Sequence, residues 1–235
     1  MNVEMVMQEL EALGKERTKK IYLSNGAHEP LFGVATGAMK PIAKKIKKDQ
    51  PLAEQLYATG NYDAMYFAGI IADPEAMTAA DFDRWMDMAY FYMLSDYVVA
   101  VTLSETNIAQ EVADKWIASG QELRMSAGWS CYCWLLGNRP DGEFSESKIA
   151  NMLQMVERTI HDSPERTKYA MNNFMYTVGV SYVPLHDQAL KTAETVGPVE
   201  VNRDKAKSKY LNAAENIHKA VAKSQLGFKR RYVRC

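Results

Sequence analysis

The stretch SESKIANMLQMVERTIHDSPERTKYAMNNFMYTVGVSY occupies residues 145–182 and contains two helical patterns separated by a very short turn. The first pattern places apolar side chains three or four residues apart, which is the spacing of one helix face. Ser163-Pro164 then provides a capping side chain and a first-turn proline, the usual start of a second helix. Helices joined so closely pack antiparallel, so this stretch predicts a helical hairpin.

The same helical spacing continues in both directions, and no alternating strand pattern interrupts it. Further helices are predicted over Asn2–Tyr22, Lys40–Lys48, Asn61–Ala72, Thr106–Ser119, Glu122–Leu136, Leu185–Val196 and Lys205–Ser224. Helices of about 12–16 residues joined by short turns are typical of stacked helical hairpins. We therefore predict an all-α fold, an α-α superhelix of HEAT-like antiparallel helix pairs with a concave groove.

Residues 1–200 are expected to form this HEAT-like domain, and residues 201–235 a basic helical C-terminal extension. The chain is 47% hydrophobic and 24% charged, the profile of a globular protein. No apolar run reaches the roughly 18 residues of a membrane span, and residues 1–13 lack the apolar segment of a secretion signal. Three cysteines give no disulfide framework, so we expect a cytoplasmic protein.

The net charge of −1 hides a strongly uneven distribution. Residues 1–50 contain nine Lys/Arg and six Asp/Glu, residues 51–200 contain nine and 21, and residues 201–235 contain ten and two. An acidic middle therefore lies between two basic ends, with net charges of +3, −12 and +8 in chain order. Such asymmetry indicates a polyanion partner, or one end folding against the other. The alternative is a solvated lysine-rich tail.

Three basic clusters are candidates for phosphate binding, because lysine, arginine and helix N-termini hold phosphates in nucleic-acid complexes. The first follows one face of a predicted helix and comprises Lys40, Lys44, Lys45, Lys47 and Lys48. The second opens another helix and comprises Arg166 and Lys168. The third ends the chain and comprises Lys229, Arg230, Arg231 and Arg234. For each cluster the alternative is an ordinary solvated surface.

Asp96 is the most informative acid, since it lies within the apolar stretch YFYMLSDYVV of residues 90–99. A carboxylate in such surroundings needs partners, because burial removes its hydration. Ser95-Asp96 could cap a helix that begins at Tyr97. Alternatively, the acid could stabilise a cationic sugar or base at a site ringed by aromatic side chains. Arg124 is either a partner for this acid or a surface cation.

No metal or cofactor site is predicted. The four histidines are far apart in the sequence, and no Cys-x-x-Cys pair occurs. Cys131 and Cys133 are two residues apart on an apolar helix, so they do not share a face and are expected to pack in the core. The sequence also contains neither a glycine-rich phosphate loop nor a Gly-x-Ser-x-Gly motif.

Four segments form a recognisable series. They are Gly33-Val34 before the basic helix at Lys40, the aromatic stretch ending in Ser95-Asp96, the helix with Leu123-Arg124, and Glu165-Arg166 followed by Ala170-Met171-Asn172-Asn173. Their order and character resemble the DNA alkylation repair family, the AlkD-like HEAT-repeat DNA glycosylases, over about residues 5–200.

The resemblance implies a metal-free glycosylase that excises positively charged N3- or N7-alkylated purines from a duplex held in the concave groove. It also implies that Asp96 stabilises the cationic sugar and positions water, with Tyr92 and Arg124 beside it. Tyr92 stands where active members have one tryptophan, and Asn173 where they have another. Some relatives with altered sites resemble DNA binders without excision activity.

Three functions are therefore open as hypotheses. The first is a DNA glycosylase with Asp96, Tyr92 and Arg124 as catalytic residues. The second is a non-catalytic binder of bent or branched DNA, which uses the basic clusters and Asn173. The third is a scaffold for protein partners, a common role of helical repeats. Double-stranded DNA is the expected partner in the first two, with no membrane or metal; the lesion, the oligomeric state and the role of residues 201–235 stay open.

Overall fold

The computed structural model describes residues 1–204 and 207–233, which fall into two compact units, residues 1–106 and 107–233. Lys205, where a helix was predicted to begin, and the basic Arg234 lie outside the described residues, as does Cys235. Within the described ranges, no helix combines the length and the apolar character needed to cross a bilayer. The boundary at residue 200 stays a prediction.

The first unit is built from short helices joined by tight turns. They are α1 (Val3–Leu13), α2 (Glu16–Ser24), α3 (Lys40–Ile46), α4 (Gln50–Tyr57), α5 (Tyr62–Ile71), α6 (Ala79–Met88), α7 (Tyr92–Leu94) and α8 (Ala100–Ser104). A π-helical turn, Ser95–Val99, joins α7 to α8 without a break.

The second unit contains the longest helices and one small hairpin of strands. Its elements are α9 (Ala109–Ile117), α10 (Glu122–Leu136), α11 (Glu146–Thr159), α12 (Glu165–Ser181), α13 (His186–Val196), β1 (Val199–Asp204), β2 (Lys207–Leu211) and α14 (Ala213–Ala222). Helix α10 packs between α9 and α12, and Gly128 permits the close approach because a Cβ there would lie 2.7 Å from the Ala113 carbonyl oxygen.

The predicted single helix Asn2–Tyr22 is wrong, because the chain breaks at Gly14 and starts again at Glu16. A Cβ on Gly14 would lie 2.6 Å from the Phe32 carbonyl oxygen, and the Lys15 amide donates to Gly33 O at 3.1 Å. The break at Gly14 therefore lets the loop at Phe32 and Gly33 pack against the chain. Helical spacing in the sequence gives no sign of this contact.

The last predicted helix, Lys205–Ser224, also needs correction. Strands β1 and β2 pair antiparallel, with Val199 opposite Leu211 and Val201 opposite Lys209. Both valines are buried, and β-branched residues favour strands. The helix begins only at Ala213, after Asn212 accepts a hydrogen bond from the Glu215 amide.

Residues 225–233 fold back onto the second unit. The Gly227 amide donates to Val180 O at 2.7 Å, and the Arg230 amide donates to Gly137 O at 2.7 Å. The Asn138 side chain donates to Arg230 O, also at 2.7 Å. The described end of the basic extension is therefore held by backbone contacts to its own unit.

Helix α6 begins with a reciprocal cap that predicts a pH-dependent stability. Thr78 and Asp81 each accept a hydrogen bond from the other's backbone amide, and the Thr78 amide bond lowers the pKa of Asp81. A carboxyl group with a lowered folded-state pKa stabilises the fold above its unfolded pKa, and this contribution is lost as pH falls. We expect Asp81→Asn to lower the free energy of unfolding by about 0.5–1 kcal/mol at neutral pH and by almost nothing in acid. Urea unfolding at several pH values measures this difference. An equal cost at all pH values would contradict this.

Candidate nucleic-acid interface

Helix α3 and the two residues after it present the first basic cluster to solvent. The predicted end of this helix at Lys48 is wrong, because α3 ends at Ile46 and Lys47 has a φ of 64°, outside the helical region. All five predicted phosphate ligands of the cluster, Lys40, Lys44, Lys45, Lys47 and Lys48, are exposed. Two of them pair with acids, Lys45 with Glu9 at 3.4 Å and Lys48 with Asp73 at 3.0 Å. Within residues 1–204 and 207–233, the other three have no ion-pair partner. Their charges are therefore available to an external anion.

The loop that leads to α3 is fixed by a residue that the sequence analysis missed, Asp63. Its carboxylate accepts hydrogen bonds from the amides of Phe32, Gly33 and Val34, at 2.6, 2.9 and 2.8 Å. Asp63 is 0% exposed, and this burial raises its pKa while the three amide bonds act in the opposite direction. The only signal in the sequence was an acid in the first turn of the otherwise apolar helix α5.

Gly33 explains why this loop needs a strong anchor. Its φ of 81° lies in the left-handed region, and a Cβ would come within 2.5 Å of the Lys19 amide nitrogen. The loop thus passes against the backbone of α2, and the Tyr22 hydroxyl donates to Val34 O at 2.8 Å. The Gly33-Val34 segment therefore serves to position the start of the basic helix.

Asp96 lies on the π-helical turn between α7 and α8, and only 3% of it is exposed. Its Oδ1 accepts a hydrogen bond from the Ser95 hydroxyl at 2.8 Å. The alternative that Ser95-Asp96 caps a helix is wrong, because the helix continues without interruption from Tyr92 to Ser104. π-Helical turns are frequent at functional sites, and they re-aim side chains relative to a regular helix.

An aromatic cluster adjoins Asp96. The Tyr92 ring makes edge contacts with the rings of Phe91 and Tyr97, at centroid distances of 5.8 and 6.3 Å. Phe91 continues the cluster inward to Tyr62 at 5.3 Å, while Tyr97 is 43% exposed. Asp96 therefore follows Tyr92 on one continuous helical segment of the first unit, and a shared role for the two residues stays a prediction.

Helix α12 presents the second basic cluster. The Arg166 guanidinium stacks over the Tyr169 ring at 4.8 Å, and Lys209 approaches the same ring at 5.9 Å. The Arg166 backbone amide donates to Glu122 Oε1 at 2.8 Å, and this bond joins α12 to the start of α10. Lys168 is half-buried and Asn173 exposed on this helix.

The remaining predicted site residues lie elsewhere in the second unit. Arg124 is half-buried on α10. The Lys229 ammonium donates to Leu136 O at 2.6 Å and pairs with Asp141 at 2.7 Å, so its charge is already balanced within the protein. The Arg230 guanidinium stacks over Trp134, at 4.8 Å from the ring centroid. Arg231 is exposed beside Tyr232.

The described residues include no group of three or more His, Cys, Asp or Glu side chains arranged to hold a metal ion. Cys131 is 0% exposed, and burial raises the pKa of its thiol, which disfavours the thiolate. The predicted core position of this cysteine is confirmed, and Cys133 is half-buried on the same helix.

Stacked helices with an exposed lysine-rich helix define an all-α helical-repeat protein with a cationic surface. The model of the DNA alkylation repair enzyme family matches residues 6–217, and the chain belongs to this family. A solved structure, described as a new family of proteins related to the HEAT-like repeat DNA glycosylases with affinity for branched DNA structures, is 76% identical. That structure and this chain cover 100% of each other, with a TM-score of 0.97, which confirms the predicted HEAT-like class.

Two Listeria proteins are similar over most of the chain. Lin0241 of Listeria innocua is 31% identical over 218 residues, which covers 90% of this chain and 94% of the relative. Lmo0209 of Listeria monocytogenes is 30% identical over the same length, with the same coverage. Both carry the name of an uncharacterized protein, so they extend the family without adding an activity.

Proposed function

We propose that this protein binds branched DNA through phosphate contacts, with Lys40 and Lys44 of α3 and Lys47 directly after it as the principal ligands. The observation that carries the proposal is that Lys40, Lys44 and Lys47 are exposed and have no ion-pair partner among residues 1–204 and 207–233. Support comes from the solved structure with 76% identity, whose description names affinity for branched DNA. Arg166 on α12 adds a fourth cation, supported by the Tyr169 ring.

Fluorescence anisotropy with a four-way junction and with a linear duplex of the same arms tests this proposal. We expect the junction to bind more tightly, because it offers phosphates of several arms at once. Four phosphate contacts give a log–log dependence of the association constant on salt with a slope of about −3 to −4 between about 50 and 200 mM salt. Junction binding that does not weaken as salt is added would contradict the phosphate contacts and favour the hypothesis of a scaffold for protein partners.

Excision of a cationic alkylpurine is the second candidate function, and it is favoured by a buried Asp96 on a π-helical turn, with Tyr92 and Tyr97, on either side of it in the sequence, in contact with each other. Two features argue against efficient catalysis. The Asp96 carboxylate is almost completely buried and bonded to Ser95, so a sugar could reach it only after local opening. A tyrosine and an asparagine replace the two tryptophans that the resemblance associates with activity.

We therefore expect no release of 7-methylguanine from alkylated duplex DNA above the rate without protein. The measurement is chromatographic detection of the free base after prolonged incubation, with Asp96→Asn as the matched variant. The two proteins should give the same background. Release by the wild type that disappears in Asp96→Asn would establish the glycosylase and refute our preference for simple binding.

A further inference from the structure

A polar cleft in the second unit is not used by the contacts proposed above. It has a volume of about 310 Å³ and lies between α12 and α14. This volume falls at the lower end of small-molecule sites, which measure about 300–1,000 Å³. Its lining includes Asn172, Asn173, Tyr176, Asn216, Lys219 and Lys223.

Asn172 gives the cleft an unmet hydrogen-bonding requirement. The residue is only 4% exposed, and its Oδ1 has no hydrogen-bond partner among the described residues. Buried carbonyl oxygens are nearly always bonded, so an orphaned one calls for an explanation. Because Asn172 lines the cleft, a small rotation of its carboxamide would offer this oxygen to an N–H donor of a bound molecule.

The remaining side chains indicate the chemical class of that molecule. The carboxamides of Asn173 and Asn216 can each donate and accept, as the hydrogen-bonding edge of a nucleobase requires. Tyr176 adds an aromatic surface of the kind on which unpaired bases stack. Lys223 is exposed and has no ion-pair partner in the described residues, whereas Lys219 pairs with Glu215. Side chains that can bond a base edge, stack on a base and pair with a phosphate together match a nucleotide.

The position of the cleft on α12 favours a nucleotide that is part of a strand. Arg166, Tyr169, Asn173 and Tyr176 are spaced three or four residues apart, so they follow one face of the helix. Arg166 was assigned to phosphate binding above, and the cleft lies further along the same face. A strand that follows this face can therefore place one phosphate at Arg166 and one base in the cleft.

We propose that the α12–α14 cleft binds an unpaired nucleotide at the branch point of DNA, with the base edge on Asn172 and the phosphate at Lys223. This inference rests on the proposed function and adds a preference for branches with unpaired bases. A free deoxynucleotide has the same chemistry, so the test must separate the two sources.

The test compares two four-way junctions that differ only in two unpaired adenosines at the branch point. We expect the wild type to bind the junction with unpaired bases about tenfold more tightly, and Asn172→Leu to reduce this ratio to near one. Leucine removes the orphaned oxygen at similar volume, so the variant should keep or raise its melting temperature. Lys223→Gln, at an exposed position, should also lower the ratio. Lys191→Gln removes an exposed charge of α13 outside the cleft lining and should leave the ratio unchanged.

Each outcome has a distinct meaning. A ratio near one for the wild type, with tight binding of both junctions, overturns the cleft assignment and leaves the proposed function intact. Failure to bind either junction refutes the proposed function itself. A ratio that persists in both cleft variants also overturns the assignment. Calorimetry with free dAMP separates the last case. If dAMP binds the wild type but not Lys223→Gln, and the wild type prefers neither junction, the cleft binds free nucleotides and not a nucleotide within a strand.

Discussion

Alanine at position 63 is expected to lower the free energy of unfolding by about 3–5 kcal/mol, the largest single-residue effect that we predict. The substitution removes the carboxylate that accepts from the Phe32, Gly33 and Val34 amides. Gly33 and Val34 are buried, so their amides cannot turn to water instead. Urea unfolding followed by circular dichroism measures the loss.

Two further variants define the cause. Asp63→Asn keeps one acceptor oxygen at similar volume, so we expect an intermediate loss of about 1–3 kcal/mol. Asp187→Ala removes an exposed acid from the first turn of α13 and should cost less than about 1 kcal/mol. If Asp63→Ala and Asp187→Ala were equally mild, the carboxylate would not anchor the loop.

Removal of three charges from α3 and its C-cap has the largest expected effect on DNA binding. In the variant Lys40→Gln, Lys44→Gln, Lys47→Gln, we expect the salt slope of junction binding to become shallower by about 2.7, since each lost phosphate contact contributes about 0.9. Affinity at about 100 mM salt should fall roughly 500-fold, because a slope lower by about 2.7 over the tenfold interval from about 1 M to about 0.1 M salt removes about 2.7 log units from the association constant. Anisotropy titrations across salt concentrations measure both quantities.

The matched control removes the same charge from α2 and its N-cap, in the variant Lys15→Gln, Arg17→Gln, Lys20→Gln. All three control residues are exposed in the first unit, so a general loss of positive charge would weaken both variants equally. We expect the control to retain most of the affinity. Equal losses would show that the α3 lysines act only through long-range attraction and not as direct phosphate ligands.

Several features of the site were accessible from the sequence because they depend on local spacing. The shared exposure of Lys40 and Lys44 follows from their four-residue spacing on α3, whereas Lys47, predicted on the same face, lies past the end of the helix. The placement of Tyr92 and Asp96 on one continuous helical segment follows from the unbroken apolar stretch around them. The start of α12 after Pro164 follows from the preference for proline at helix starts, but the predicted cap by Ser163 is wrong, because its hydroxyl donates to Thr159 O instead.

Other features depended on partners far along the chain. Asp63 is a buried anchor only because residues 32–34 return to it, about 30 positions earlier in the sequence. Lys229 belonged to a basic cluster by sequence, but Leu136 O and Asp141 hold its ammonium within the fold. The orphaned oxygen of Asn172 is visible only once every neighbour has been placed.

The sequence by itself determined the helical composition, the all-α class, the exposed lysine face and the family to which the resemblance pointed. These properties arise from periodicity and residue type, which short segments express on their own. Only the tertiary structure decided the break at Gly14, the β1–β2 hairpin, the burial of Asp96 and the docking of residues 225–233. The physical reason is that each depends on which distant backbone groups occupy the neighbouring space, and local spacing carries no information about them.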